Sequence, residues 1–299
     1  MDIIRIGTPN NGRQRPRRTG AYALLGAVFA LLTACSGSSP TVVVEGEALS
    51  FVDEVFAFSV DNDLEYGSAL DENGVQEILR LNLFQPTDDA RALRPAIIWL
   101  HGGSYKQGHR AQMNEFAQRF ARRGFVSASV SYRLRENAVF DYTDPDDSLG
   151  NVVKREAQHD VQAAVRWLLA NAADLRIHAS HIYVAGYSAG GTAALRVAAG
   201  SDDPGASGNP GLSSRTAGTV GIAASLEPGM LEAGTGSTLL IHGENDAKVP
   251  IAGVTEACAL VTRCELVAVP LGEHDMLTPA KEAIIAAAAA FLHRLTEAH

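Results

Sequence analysis

Three features are missing from this 299-residue chain. It has no internal repeat, which excludes solenoid and propeller architectures. It has no apolar run near the length of about 20 residues that a membrane-spanning helix needs. Positive charge is not concentrated beyond the N-terminus. The 25 lysines and arginines are otherwise scattered and outnumbered by 34 acidic residues, for a net charge of −9. A basic patch is the footprint of a nucleic-acid-binding surface, and none is expected here. Cysteine is scarce as well, with three in the chain. What is present is an ordinary globular composition, 46% hydrophobic and 20% charged, in a length that suits one α/β domain.

The first 35 residues differ from the rest. Arg13, Arg15, Arg17 and Arg18 form a basic segment, followed by a short apolar run from Ala21 to Leu32. Together they read as the n- and h-regions of a secretory signal. Leu32-Thr33-Ala34-Cys35 then resembles a bacterial lipobox, in which cleavage precedes a cysteine that receives a lipid. The expected organisation is a lipoprotein signal over residues 1–34, Cys35 as lipid anchor with a tether over 35–50, and a catalytic domain over 51–299. This places the protein in a bacterial cell envelope, periplasmic or at the cell surface, held to a membrane by its lipid. An ordinary cleavable signal, or an anchoring helix with a chance cysteine, is the alternative. In an exported chain the remaining pair, Cys258 and Cys264, is expected to form a disulfide, with two buried thiols as the alternative.

From residue 64 onward, strand and helix patterns alternate. Leu64–Ala69 and Gln76–Phe84 alternate apolar with polar residues around Asp71-Glu72-Asn73-Gly74, as in a hairpin. Pro95–Leu100, Phe125–Tyr132, His181–Tyr187, Val220–Ser225, Thr238–His242 and Glu265–Val269 read as further strands. Helices are expected around Met113–Phe120, Val161–Leu169, Ala189–Ala199, Ile251–Val261 and Pro279–Leu295, with a loop over Glu136–Asn151. The order predicts a mostly parallel central sheet with helices on both faces and a minimal cap.

Three segments carry chemistry. Gly186-Tyr187-Ser188-Ala189-Gly190 is a G-x-S-x-G sequence between a strand and a helix, where a sharp turn exposes a serine oxygen. A serine hydroxyl needs a base, and the base needs an orienting acid. His274 is the candidate base and Asp246 the candidate acid, with Glu244 and Asp275 as rivals. Both segments follow strands, on the sheet edge where Ser188 is expected. His101-Gly102-Gly103-Ser104 leaves a strand where main-chain donors for an oxyanion arise, so Gly102, Gly103 and Ala189 are the candidate oxyanion hole. Tyr105 and Tyr187 are candidate substrate-lining residues, with plain packing an even alternative.

These segments, with Ser131-Tyr132-Arg133-Leu134, Val249-Pro250 and Leu81 to Pro86, resemble the esterase/lipase branch of the α/β-hydrolases over roughly Leu64 to Leu295. The resemblance implies hydrolysis of small-molecule or polymer-linked esters through an acyl-enzyme, with no metal or organic cofactor. Ser104 departs from that pattern, where a third glycine is usual in hormone-sensitive-lipase-like members. The residues before Phe84 read as strands rather than a helical cap, which favours an open site and a small acyl group. A small amidase, formamidase or peptidase-like hydrolase of the same fold is the alternative, and a non-catalytic binding lipoprotein a third reading.

Overall fold

The computed structural model describes residues 4–5, 50–141, 144, 146–200, 203–227, 230–231 and 236–298. The basic segment, the apolar run, the lipobox, Cys35 and the tether through Leu49 lie outside these residues.

The strands are β1 (Ile4–Arg5), β2 (Phe58–Leu70), β3 (Gln76–Pro86), β4 (Arg94–Leu100), β5 (Val126–Val130), β6 (Ile177–Tyr187), β7 (Gly218–Ile222), β8 (Ser237–Gly243) and β9 (Cys264–Val269). They form one sheet in the order β1-β9-β8-β7-β6-β4-β5-β3-β2. Every pairing from β9 to β5 is parallel, and β3 and β2 add an antiparallel edge. The two-residue β1 pairs with Val267 and Ala268 of β9. It falls within the segment read as a cleaved signal.

The helices are α1 (Asn114–Ala121), α2 (Ser148–Ala170), α3 (Ala189–Ala199), α4 (Ile251–Ala259) and α5 (Lys281–Glu297). Strand β4 shows how they are held. All its residues are buried. Ile97 and Trp99 point into a core with Phe116, Phe120, Ile284 and Phe291 from α1 and α5. Ala96, Ile98 and Leu100 point into a second core with Val161, Val165 and Ala193 from α2 and α3. A period of two thus sends alternate side chains to two helical layers, which is why the strand is apolar from Pro95 onward. None of the helices described is long and apolar enough to cross a membrane.

Two local details set boundaries. Helix α1 ends in a Schellman motif: Phe125 N–H donates to Phe120 O at 3.1 Å and Gly124 N–H to Ala121 O at 2.9 Å. Gly124 takes φ +95°, and the Phe120 and Phe125 rings meet edge-on at 5.4 Å. Helix α2 takes in the last four residues, 148–151, of the expected 136–151 loop. Asp147 caps it by accepting from Gly150 N–H at 2.8 Å, which overrides the poor helix propensity of Gly150 and Asn151.

Candidate active site

The strand carrying the nucleophile candidate is β6, and α3 starts at the next residue but one. Ser188 sits between them at φ +52° and ψ −121°, a conformation that L-residues rarely adopt. Its neighbours explain how the turn closes. A Cβ on Gly186 would run into Gly190 O, and one on Gly190 into His101 O. The main chain on both sides of Ser188 is packed too closely for any side chain. Ser188 N–H donates to Ile222 O at 2.8 Å, which ties the turn to β7.

The C-terminal ends of β8 and β9 supply the partners. Ser188 O–H lies 2.9 Å from His274 Nε2. On the far side of the ring, His274 Nδ1–H donates to Asp246 Oδ2 at 2.8 Å. Asp246 Oδ1 accepts from Lys248 N–H at 2.9 Å and Val249 N–H at 2.8 Å. The Asp246 side chain is wholly buried. Of the three acids the sequence left open, Asp246 is the one that reaches the imidazole. Asp275 is mostly exposed and turns toward Lys248 Nζ at 3.7 Å. Glu244 donates its N–H to Val269 O, at the end of β9, at 3.1 Å.

The glycine loop after β4 completes the geometry. His101 is fully buried, and its ring stacks on Tyr132 at 4.5 Å. Burial lowers its pKa to about 4, so the imidazole is neutral at neutral pH. Nδ1–H donates to Gly102 O at 2.7 Å. In a trans peptide the carbonyl and the following N–H point in opposite directions. Holding Gly102 O on the imidazole therefore turns Gly103 N–H away from it. Neither the Gly102 nor the Gly103 N–H donates to a turn or loop carbonyl among the described residues. Ala189 is the first residue of α3, where a helix leaves an N–H without an intrahelical partner. Gly102 lies against the elbow, since a Cβ there would stand 3.2 Å from Ser188 Cβ.

The two tyrosines part ways. Tyr105 does not line the site. It is fully buried in the core shared with Val161 and Ala193, tilted against Tyr132 at 6.0 Å. Ser104 and Tyr105 both take positive φ, +55° and +58°, and this turn swings the ring inward. Tyr187 is half-buried beside His274, and its hydroxyl is engaged by protein: it lies 2.9 Å from His274 O and 3.1 Å from Asp275 Oδ1.

One further residue at the site was not singled out from sequence, although it lies in the quoted His242-to-Asp246 segment. His242 is buried and donates Nε2–H to Val249 O at 2.8 Å, 3.4 Å from Asp246 Oδ2. Burial lowers its pKa. Among the described residues no three His, Cys, Asp or Glu side chains converge as metal ligands. Cys258 and Cys264 are joined by a disulfide from α4 to the start of β9. A polar cavity of about 390 Å³ opens at the ends of β3 and β5, lined by Glu77, Arg80, Arg110 and Tyr132 among others. Ser188, Asp246 and His274 do not line it.

Comparison with known proteins agrees with this architecture. A family model described as BD-FAE matches residues 81–224, and one described as alpha/beta hydrolase fold matches 154–295. Gut esterase 1 of Caenorhabditis elegans is 29% identical over 117 residues, 38% of this chain. Pyrethroid hydrolase Ces2a of Mus musculus is 30% identical over 118 residues, 39% of this chain. Each match spans a fifth of the relative's length. The propionate-bound structure of a thermophilic esterase, Est2, from the planctomycete Thermogutta terrifontis aligns with a TM-score of 0.65 at 22% identity, covering 78% of this chain and 93% of that one. The same enzyme phosphorylated by paraoxon aligns at 0.64 and 22%, covering 80% and 94%. The parallel sheet, its antiparallel edge and its two helical layers are thus those of the α/β-hydrolase fold.

Proposed function

We propose that the protein is a serine carboxylic-ester hydrolase working through an acyl-enzyme on esters of small acyl groups. The observation that carries this reading is the continuous relay from Ser188 Oγ through His274 to the buried Asp246, set beside main-chain N–H groups without turn partners. Ser188 attacks the ester carbonyl while His274 Nε2 takes its proton. Asp246 holds Nδ1–H, which fixes the tautomer and stabilises the imidazolium. The N–H groups of Gly102, Gly103 and Ala189 receive the negative charge on the carbonyl oxygen. His274 then protonates the departing alkoxide, and a water deprotonated by His274 releases the acid from Ser188. The scheme uses only these side chains and main-chain groups.

Small acyl groups are favoured by the strands β2 and β3, which stand where a helical cap would precede the glycine loop, and by the propionate and butyrate named for the Thermogutta esterase structures. Export and anchoring through Cys35 belong to the same reading. Cleavage before Cys35 would also remove β1 and leave β9 at the sheet edge. Radiolabelled palmitate should enter the wild-type chain in a bacterial host and be absent from Cys35→Ala. Equal labelling would remove the anchor from the reading.

The test of the activity is a fluorophosphonate probe with p-nitrophenyl acetate, butyrate and octanoate as substrates. Wild type should be labelled and should turn over the shorter esters fastest, and Ser188→Ala should lose both. A folded wild type that is neither labelled nor active would sink the reading.

A further inference from the structure

Tyr187 has no part in the acyl-transfer scheme, yet its side chain touches two loops of the site and its main chain adjoins the nucleophile. Its hydroxyl donates toward His274 O at 2.9 Å, with Asp275 Oδ1 at 3.1 Å as a second acceptor. Its ring lies 5.6 Å from the His274 imidazole, centroid to centroid. The same ring packs on the oxyanion loop, where a Cβ on Gly102 would stand 2.8 Å from Tyr187 Cδ1. Its main chain is bonded directly to Ser188. Nucleophile, base loop and oxyanion loop therefore meet at one residue.

The base loop needs such an anchor. Residues 270–275 join β9 to the segment before α5, and their main-chain ties are few. Gly272 N–H donates to Val269 O at 3.0 Å, Asn245 N–H to Gly272 O at 2.8 Å, and Met276 N–H to His274 O at 2.9 Å. Leu271 is largely exposed. Burial first, and then the neighbouring Asp275 carboxylate, raise the Tyr187 pKa. The phenol thus keeps the proton that a carbonyl partner requires.

We propose that Tyr187 is a positioning residue: its hydroxyl fixes the main chain of His274, and its ring holds Gly102 against the elbow, so that base and oxyanion donors stay in register with Ser188. The inference rests on the serine-hydrolase reading. The register matters most when the imidazole becomes charged, because the ring must then point its new proton at the departing oxygen rather than drift. With its hydroxyl engaged by the protein, Tyr187 acts through His274 rather than on the substrate.

Tyr187→Phe keeps the ring on Gly102 and removes only the hydroxyl. It should lower kcat for p-nitrophenyl butyrate about 10-fold and leave KM within about twofold, since positioning is felt at the barrier rather than in binding. Fluorophosphonate inactivation should slow by the same factor. The low-field proton resonance of His274 Nδ1–H should broaden or shift, which a merely structural role would not produce at an unchanged melting midpoint. Tyr187→Leu, which also removes the ring from Gly102, should lose more kcat. A Phe variant with wild-type kcat and an unchanged resonance overturns the proposal. So does a raised KM at constant kcat, which would make Tyr187 a substrate contact. If the wild type itself neither turns over esters nor reacts with the probe, the hydrolase reading fails instead, and the resonance still decides whether Tyr187 positions His274.

Discussion

Among the described residues two aspartate side chains are completely buried, Asp160 in the middle of α2 and Asp246 after β8, and their surroundings differ. Asp160 meets a permanent cation. Arg133 Nη2 donates to Oδ1 at 2.8 Å, Nε reaches both oxygens at 3.0 and 3.1 Å, and Arg133 N–H donates to Oδ2 at 2.8 Å. Ser207 O–H adds a bond of 2.6 Å to Oδ1. Burial raises the carboxyl's pKa, and the guanidinium and Ser207 oppose that rise. Arg133 also donates to Leu70 O at 2.8 Å, so one ion pair fastens the β2–β3 hairpin, the loop at Ser207 and α2 together. Asp246 meets an imidazole instead, with two main-chain N–H groups on its other oxygen. A guanidinium cannot give up its proton, whereas an imidazole both takes one and returns it. The Asp160 region is therefore a clamp, and the Asp246 region a clamp with one movable proton.

The sharpest way to break the contrast is to remove the charge at each site. Asp246→Asn keeps the shape but no longer favours the tautomer with Nδ1–H. It should cut kcat by about 10⁴ at neutral pH with little change in melting midpoint. A loss of less than 10-fold would transfer the acid's role elsewhere. At the other site, Asp160→Ala leaves a buried guanidinium without its partner and should cost about 3–5 kcal/mol of stability. Urea unfolding reads the loss, and kcat per folded, probe-labelled molecule should stay near wild type. A variant that is stable but inactive would show that the clamp shapes the active site as well.

The two regions were unequally legible in the sequence. Ser188, His274 and Asp246 could be named because their chemistry demands a chain order and strand-end positions, and the glycines at 186 and 190 mark where main chain must approach main chain. Asp160 was invisible for a plain reason. An acid in the middle of an amphipathic helix reads as solvent-facing, and its partner lies 27 residues away. Tyr105 misled for a subtler one. It follows the glycine loop directly, and nothing in the residue types Ser104 and Tyr105 announces the two positive φ values that bury the ring. His242 was in view within a motif, but its link to Val249 O depends on how the 243–249 loop closes. The mostly parallel sheet and its two helical layers followed from the alternation of strands and helices, because buried parallel strands need apolar residues on both faces; the strand order was not legible, since it depends on which crossovers the chain makes.

A histidine offers the next, smaller contrast. His101 is as buried as the two aspartates but has no charged partner, and its pKa falls to about 4 against an ordinary value of 6.5. Between those two values only the unfolded chain takes up the proton. The stability contributed is therefore complete above pH 6.5, is lost as pH falls toward 4, and is level below that. The loss across the window is about 3 kcal/mol. His101→Asn, whose amide can still donate toward Gly102 O, should flatten that part of the urea midpoint's pH dependence. An unchanged slope would assign the acid sensitivity to other groups, the buried His242 first among them.

The smallest expected effect concerns how each region is braced. The Asp160 clamp is held by an ion pair and hydrogen bonds, whereas the strand leading toward His274 is stapled covalently by Cys258–Cys264 across six residues of sequence. A loop that short removes little freedom from the unfolded chain, so reduction should cost about 2 kcal/mol. The staple lies at the start of β9, and the His274 loop leaves its other end. If the disulfide braces the fold and not the site, dithiothreitol should lower the melting midpoint while leaving kcat and KM of the still-folded enzyme unchanged. A fall in kcat at temperatures well below the new midpoint would mean instead that strain at the strand's beginning is felt by the base at its end. The covalent brace would then belong to the catalytic region as fully as Lys248 N–H and Val249 N–H do.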